Sequence, residues 1–184
     1  MNTGLIGARY ATALLEFAKQ SNSGEQIYVE AKKVSASFFQ FAQLKPVLEN
    51  PVMPKAEKKK LILMAAGGNV SSTFDRFVDL LLENDREYHL QIIALKFIDL
   101  YRAENDIHYG KLTTAIAVNE LTEKRMIAMV SKETGGTLEI EKIINPTLLG
   151  GFTFEVDFKR WDASVSGQLN TIRKEYKEKN RNIV

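Results

Sequence analysis

Apolar residues fall into two successive regimes along the chain. Up to about residue 106 they recur with helical spacing. Ile27, Ala31, Val34, Phe38 and Phe41 stand four, three, four and three residues apart, which puts them on one stripe of a helix. The Ser23-Gly24-Glu25-Gln26 stretch before them has the form of a capping box. An earlier helix is lined by Ala8, Ala11, Leu14, Leu15 and Ala18, with Tyr10, Leu14 and Phe17 on an adjoining face. "KPVLENPVMP" holds three of the four prolines, so the chain turns there and keeps at most a short helical piece. "KAEKKKLILMAAGG" reads as a helix stopped by Gly67-Gly68. "SSTFDRFVDLLLEN" gathers Phe74, Phe77, Val78 and Leu81 on one side, and "REYHLQIIALKFIDLYRAEN" buries Leu90, Ile93, Phe97, Leu100 and Tyr101. Five or six helices with brief loops predict a compact bundle.

The period then changes. Leu112, Thr114, Ile116 and Val118 alternate as in a strand. Thr122 is placed to cap a helix reaching about Thr134, with Leu121 and Met126 as a hydrophobic staple and Gly135-Gly136 as the stop. "TLEIEKIIN" and "GFTFEVDF" read as two more strands; in the second, Phe152, Phe154 and Val156 face opposite to Thr153, Glu155 and Asp157. Val165, Leu169, Ile172 and Tyr176 mark a last helix. The reading is a mainly α chain: a helical bundle over 1–106, then a small α/β domain over 111–184. The joint is expected at 104–111, where "ENDIHYGK" loses periodicity.

Composition narrows the chemistry. No apolar run approaches the roughly 18 residues of a membrane span, and the first 20 residues carry Arg9, Glu16 and Lys19, unlike a signal peptide. Zero cysteines exclude disulfides, thiolate metal sites and cysteine nucleophiles. Net charge is +2, which gives nucleic acid no electrostatic pull.

The individual motifs are weak as chemistry. Gly150-Gly151 precedes a strand and is not followed by Lys-Ser or Lys-Thr, so it is no phosphate loop; a structural corner explains it. Asp162 and Ser164 suit a helix start better than a nucleophile, because no histidine is near. His89 and His108 lack the spaced partners of a metal site. Lys58-Lys59-Lys60 reads as a solvated helix face. Asn69-Val70-Ser71 matches a glycosylation sequon, which carries meaning only for a secreted chain. Acid, base, nucleophile and metal ligands nowhere converge. The residues support a two-domain binding or structural protein.

Four segments resemble the delta subunit of the F-type ATP synthase, the family whose mitochondrial member is the oligomycin-sensitivity-conferring protein. They are "ARYATALLEFA", "LENPVMPKAEKKKLI", "FVDLLLENDREYHLQIIALKFIDLY", and "INPTLLGGFTFEV" followed by "DASVSGQL". They stand in the family's order over nearly the whole chain. One departure is that the family's Gly-Asp turn after the second strand is replaced by Asp157-Phe158-Lys159-Arg160-Trp161, and the position after Asp162 is Ala163.

The resemblance implies a six-helix bundle ahead of the α/β domain, with Gly150, Gly151 and Asp162 as structural turn residues of a hairpin arm. It implies a non-catalytic peripheral-stalk subunit, without cofactor or metal, that links the catalytic head to the membrane sector and resists rotor torque during proton-driven ATP synthesis. The expected place is the cytoplasmic side of a bacterial inner membrane, peripheral and not inserted. The expected partners are the N-terminal helix of an alpha subunit and the C-terminal end of stalk subunit b, with no nucleic acid. The alpha-subunit helix would lie in a groove between the first and fifth helices, about 4–20 and 72–83. Those helices are apolar over more than one face, with Leu15, Leu80 and Leu82 beside the nine residues expected to meet the partner, Tyr10, Ala11, Leu14, Phe17, Ala18, Phe74, Phe77, Val78 and Leu81; Ala11 and Ala18 are small enough for close approach. The competing reading is an RNA-binding or regulatory adaptor, which wants a basic face with exposed aromatics.

Overall fold

Six helices build the first unit of the computed structural model: α1 (Thr3–Gln20), α2 (Gly24–Gln40), α3 (Leu44–Glu49), α4 (Lys55–Ala65), α5 (Ser72–Glu83) and α6 (Leu90–Glu104). The structure describes residues 3–117, 125, 127–128, 137–156 and 159–181. The chain divides into two compact units, Met1–Asn105 and Asp106–Val184. The core of the first centres on α6, whose Leu90, Ile93, Ala94, Phe97 and Ile98 are all buried. Helix α1 packs on it through Ala11, Leu14, Leu15 and Ala18, and α2 through Ile27, Ala31, Val34 and Phe38. α1 comes so close that a Cβ on Gly7 would sit 2.6 Å from Ile92 Cγ2. Tyr28 of α2 stacks on Tyr101 of α6 with ring centroids 4.6 Å apart, and the Arg102 Nε–H donates to the Tyr28 hydroxyl at 2.8 Å.

The polar contacts depart from the sequence expectation in two places. Helix α2 does begin after Ser23, but Ser23 makes no side-chain cap; its hydroxyl is bonded instead to Thr73 and Ser21, so the capping box does not form. The working cap is Ser71, whose Oγ accepts from the Phe74 N–H at 3.2 Å. The buried Glu30 carboxylate in turn accepts from the Ser71 N–H and hydroxyl, which ties the start of α5 to the middle of α2. The lysine run is likewise no solvated face. Lys58 is buried against Glu87, Nζ to Oε1 2.6 Å, with side chains 6% and 7% exposed. Lys59 bridges Asp75 and Asp79 of α5 at 2.9 and 2.7 Å, and hydrogen bonds to Asp79 and then Asp75 hold its ammonium pKa above the ordinary lysine value. A helix carrying three consecutive cations presents them on successive faces, so two of the three turn inward or sideways to carboxylates supplied by later segments. His89, beside the pair, is buried, and desolvation, then the Arg86 charge, pushes its pKa down.

The second unit is a four-stranded sheet in the order β2-β1-β3-β4: β1 (Ile107–Thr114), β2 (Thr137–Ile144), β3 (Phe152–Val156) and β4 (Lys159–Asp162). β1 and β2 run parallel, while β3 is antiparallel to both β1 and β4. Leu112 faces Phe154 across the ladder, and Trp161 pairs with Phe154 on the other side. With Val156 they form a small core, packed by Leu138, Ile140 and Phe152. The last helix is α7 (Val165–Arg181). Here too the expectation needs correcting. The strand predicted around 112–118 starts at Ile107 and ends at Thr114, so five of the eight residues of the expected joint are strand, and Ile116 lies in a bend. Ladder bonds to two neighbours stabilise a segment that has no clear apolar alternation of its own. Lys159–Asp162, expected in a turn, is a fourth strand because β3 pairs with it. Val118, the turn residues 157 and 158, and most of the helix expected from Thr122 to Thr134 lie outside the described residues.

A buried ion pair is costly to break and much less so to replace. Lys58→Met should therefore destabilise the chain by about 3–5 kcal/mol, because it strands the Glu87 carboxylate in the core. Lys58→Met with Glu87→Leu should recover most of that loss. Urea unfolding of the two variants measures both.

Candidate functional site

The nine groove residues expected on α1 and α5 divide sharply. Ala11 is 0% exposed, and Leu14, Ala18, Phe74, Phe77, Val78 and Leu81 are buried beside it in the bundle core. Tyr10 and Phe17 are half-buried. A groove does run along these helices, one residue further round. It has a volume of ≈ 430 Å3 and is lined by Ile6, Arg9, Tyr10, Ala13, Leu80 and Arg86. Of the nine, only Tyr10 is among these lining residues. A separate depression of ≈ 460 Å3 lies away from it, lined in part by Glu25, Glu30, Lys33 and Asn69.

The helical period explains the shift. α1 carries two apolar stripes. Gly7, Ala11, Leu14 and Ala18 face α6, and Ile6, Tyr10, Ala13 and Phe17 form a second stripe displaced by one position. A displacement of one residue on a helix is about 100°, so the second stripe leaves the core and flanks it. Reading the 4-3-4 spacing of Ile6, Tyr10, Ala13 and Phe17 separately would have found it. On α5 the core takes Phe74, Phe77, Val78, Leu81 and Leu82, and Leu80 stays outside, 44% exposed. Arg86 closes one end. Its N–H donates to the Leu81 carbonyl at 2.8 Å, and its Nη1 donates to the Tyr88 hydroxyl at 3.0 Å.

A second apolar surface lies on the other unit. Val165, Leu169, Ile172 and Tyr176 of α7 stand four, three and four residues apart, and all are 41–68% exposed. The sequence expects this stripe, and the structure leaves it uncovered among the described residues. The start of α7 is fixed firmly. Asp162 Oδ1 accepts from the Ser164 N–H and hydroxyl at 3.0 and 2.6 Å. Those bonds, the hydroxyl's first, hold the Asp162 carboxyl below its usual pKa. Ser164 Oγ then accepts from the Gly167 N–H at 3.0 Å. The glycine corner supplies the rest: the Val165 N–H donates to the Gly150 carbonyl at 3.0 Å. Gly151 has φ +73°, and a Cβ there would collide with the Ala163 carbonyl and meet Ser164 Cα at 3.0 Å. Gly150, Gly151 and Asp162 are thus brought together at one corner, which sets where α7 leaves the sheet.

No group of three or more metal-ligating side chains occurs among the described residues. No helix among them is long and apolar enough to cross a membrane. The arrangement offers apolar surface for other chains and, among the described residues, no converging reactive groups.

The family model described as ATP synthase delta (OSCP) subunit matches residues 6–175. The ATP synthase subunit delta of Phocaeicola vulgatus is 43% identical over 185 residues, covering 100% of both chains. That of Bacteroides thetaiotaomicron is 38% identical, again over 100% of both. The chloroplastic ATP synthase subunit delta of Ochrosphaera neapolitana is 31% identical over 94% of this chain and 97% of its own. Among solved structures, a chain of the Toxoplasma gondii mitochondrial ATP synthase hexamer superposes with a TM-score of 0.67 at 18% identity, over 92% of this chain and 96% of that one; at that identity the likeness concerns the fold.

Two substitutions on neighbouring positions should separate core from groove. Ala11→Trp forces a large ring into a filled core and should cost the upper part of the about 1–3 kcal/mol typical of overpacking, or more. Ala13→Trp, on the outer stripe, should leave the thermal unfolding of the bundle nearly unchanged. At the glycine corner, Gly151→Val should destabilise the second unit by at least about 1–3 kcal/mol, visible in a calorimetric scan as a loss confined to one of two transitions.

Proposed function

The chain belongs to the ATP synthase delta (OSCP) subunit family, and on that premise we propose how this non-catalytic peripheral-stalk subunit divides its work between two surfaces. The α1–α5 groove takes the N-terminal helix of an alpha subunit, and the α7 stripe takes the C-terminal end of stalk subunit b. The subunit thereby links the catalytic head to the stalk and resists the torque of the rotor during proton-driven ATP synthesis. It stands peripherally on the cytoplasmic side of a bacterial inner membrane.

The observation that carries this reading is a pair of apolar stripes at the surface, one on each unit, mostly half-buried along α1 and exposed along α7. Both have the spacing that seats a partner helix rather than a small molecule. Each apolar side chain seated in the groove contributes about 1.5–3 kcal/mol gross, against an association cost of roughly 4–15 kcal/mol. Ile6, Tyr10, Ala13 and Leu80 alone therefore give modest affinity. A subunit held at both ends gains the remainder from effective concentration, because a partner released at one surface stays tethered through the other. The RNA-binding alternative lacks support: the net charge of the chain is only +2, and the first 109 residues are charge-balanced.

The test uses the full chain and two synthetic segments, the alpha-subunit N-terminus and the subunit b C-terminus. Ala13→Trp should abolish binding of the first by calorimetry and leave the second unchanged. Leu169→Asp with Ile172→Asp should do the reverse, with the fold intact by circular dichroism. Unchanged affinity for both segments in both variants would put the docking surfaces elsewhere.

A further inference from the structure

The rim of the α1–α5 groove is cationic. Its lining contains two guanidinium groups, Arg9 and Arg86, and no carboxylate. Several cations elsewhere in this unit are paired: Lys19 with Glu104, Lys55 with Asp85, Lys58 with Glu87, and Lys59 with Asp75 and Asp79. Arg86 has an acidic residue on each side in sequence, yet Asp85 is taken by Lys55 at 2.8 Å and Glu87 by Lys58 at 2.6 Å. What remains to it is the neutral Tyr88 hydroxyl, which fixes the guanidinium without cancelling its charge. That charge is felt nearby, since it adds to the desolvation that depresses the His89 pKa. Arg9 has no acidic residue three or four positions away on α1; those positions are Leu5, Ile6, Thr12 and Ala13. Among the described residues neither arginine has a carboxylate partner.

We propose that the groove selects an acidic amphipathic helix, one whose apolar stripe is flanked by carboxylates that meet Arg9 and Arg86. This rests on the reading of the groove as the alpha-subunit site and adds the charge pattern its occupant must carry. Apolar grooves discriminate poorly between helices of similar shape, because every Leu-rich stripe buries comparable area. Two guanidiniums at the rim supply the discrimination. They favour paired carboxylates by forked hydrogen bonds and repel a basic helix.

The experiment compares two designed helical peptides with the same leucine stripe, one with glutamate and one with lysine at every flanking position, titrated onto the full chain. The glutamate peptide should bind about tenfold more tightly at about 0.05 M salt and lose most of that advantage at about 0.5 M. The advantage should also vanish in the Arg9→Gln/Arg86→Gln variant, whose fold is checked by thermal melting. Equal affinity for both peptides, with each blocked by Ala13→Trp, would overturn charge selection and leave the groove as a helix site. A preference that survives in the double arginine variant would overturn it as well, by placing the acidic helix elsewhere. Binding of neither peptide nor the alpha-subunit segment would remove the groove reading itself and the proposal with it.

Discussion

The helical unit depends on α6 being covered from two sides at once. Leu90, Ile93, Ala94, Phe97 and Ile98 give that helix an apolar face too wide for one neighbour to cover, so α1 and α2 both lie against it, and each gives up its cleanest stripe to do so. For α1 this means bringing Gly7 up to Ile92 and turning Ala11 and Leu14 inward. The geometry of the outer surface follows. Because α1 is apolar over more than one stripe, the stripe not used on α6 is left at the boundary with α5, where Leu80 and Arg86 meet it. The groove is the remainder of a packing problem solved elsewhere in the core.

The same division decides what was legible in the sequence. Periodicity located the long helices of the bundle, because a 3.6-residue stripe over three turns is a strong signal, and alternation located β3. Neither pattern could assign roles to two adjacent stripes on one helix. Ala11 and Ala13 are both alanines in apolar surroundings, and only the position of α6 makes one of them core and the other surface. The burial of Lys58 was not legible because its partner Glu87 is 29 residues away, and no local pattern announces a pairing at that distance. Ser23 had the right neighbours for a capping box, but a competing hydroxyl on Thr73 drew its side chain off. β4 was hidden for the opposite reason. Four residues reading Lys-Arg-Trp-Asp carry no strand pattern, and β3 alone recruits them.

Local polar contacts then fix what apolar packing leaves free. Hydrophobic burial is non-directional and would tolerate α5 sliding along α2, yet the Glu30 carboxylate grips both donors of Ser71 and sets one register. Asp162 and Ser164 do the same for α7. Each of these acids acts at a helix start, where an N–H is otherwise unsatisfied, so one side chain both completes the helix and positions it. These two charges stand where they determine direction.

Only Asn105 and Asp106 separate the end of α6 from the first residue of β1. Two residues extend to at most about 7 Å, so this joint has almost no slack. Tension on either unit reaches the other without first uncoiling a tether. It arrives at β1, the strand that is bonded along both edges, parallel to β2 and antiparallel to β3. A pull along such a strand loads its hydrogen bonds together, in shear, instead of opening them one after another from an end. At the other end of the joint, the pull meets α6, the helix around which the bundle is wrapped. The short connection therefore joins the helix around which the bundle is wrapped to an inner strand of the sheet, and a pull is passed on with little lengthening of the chain between them.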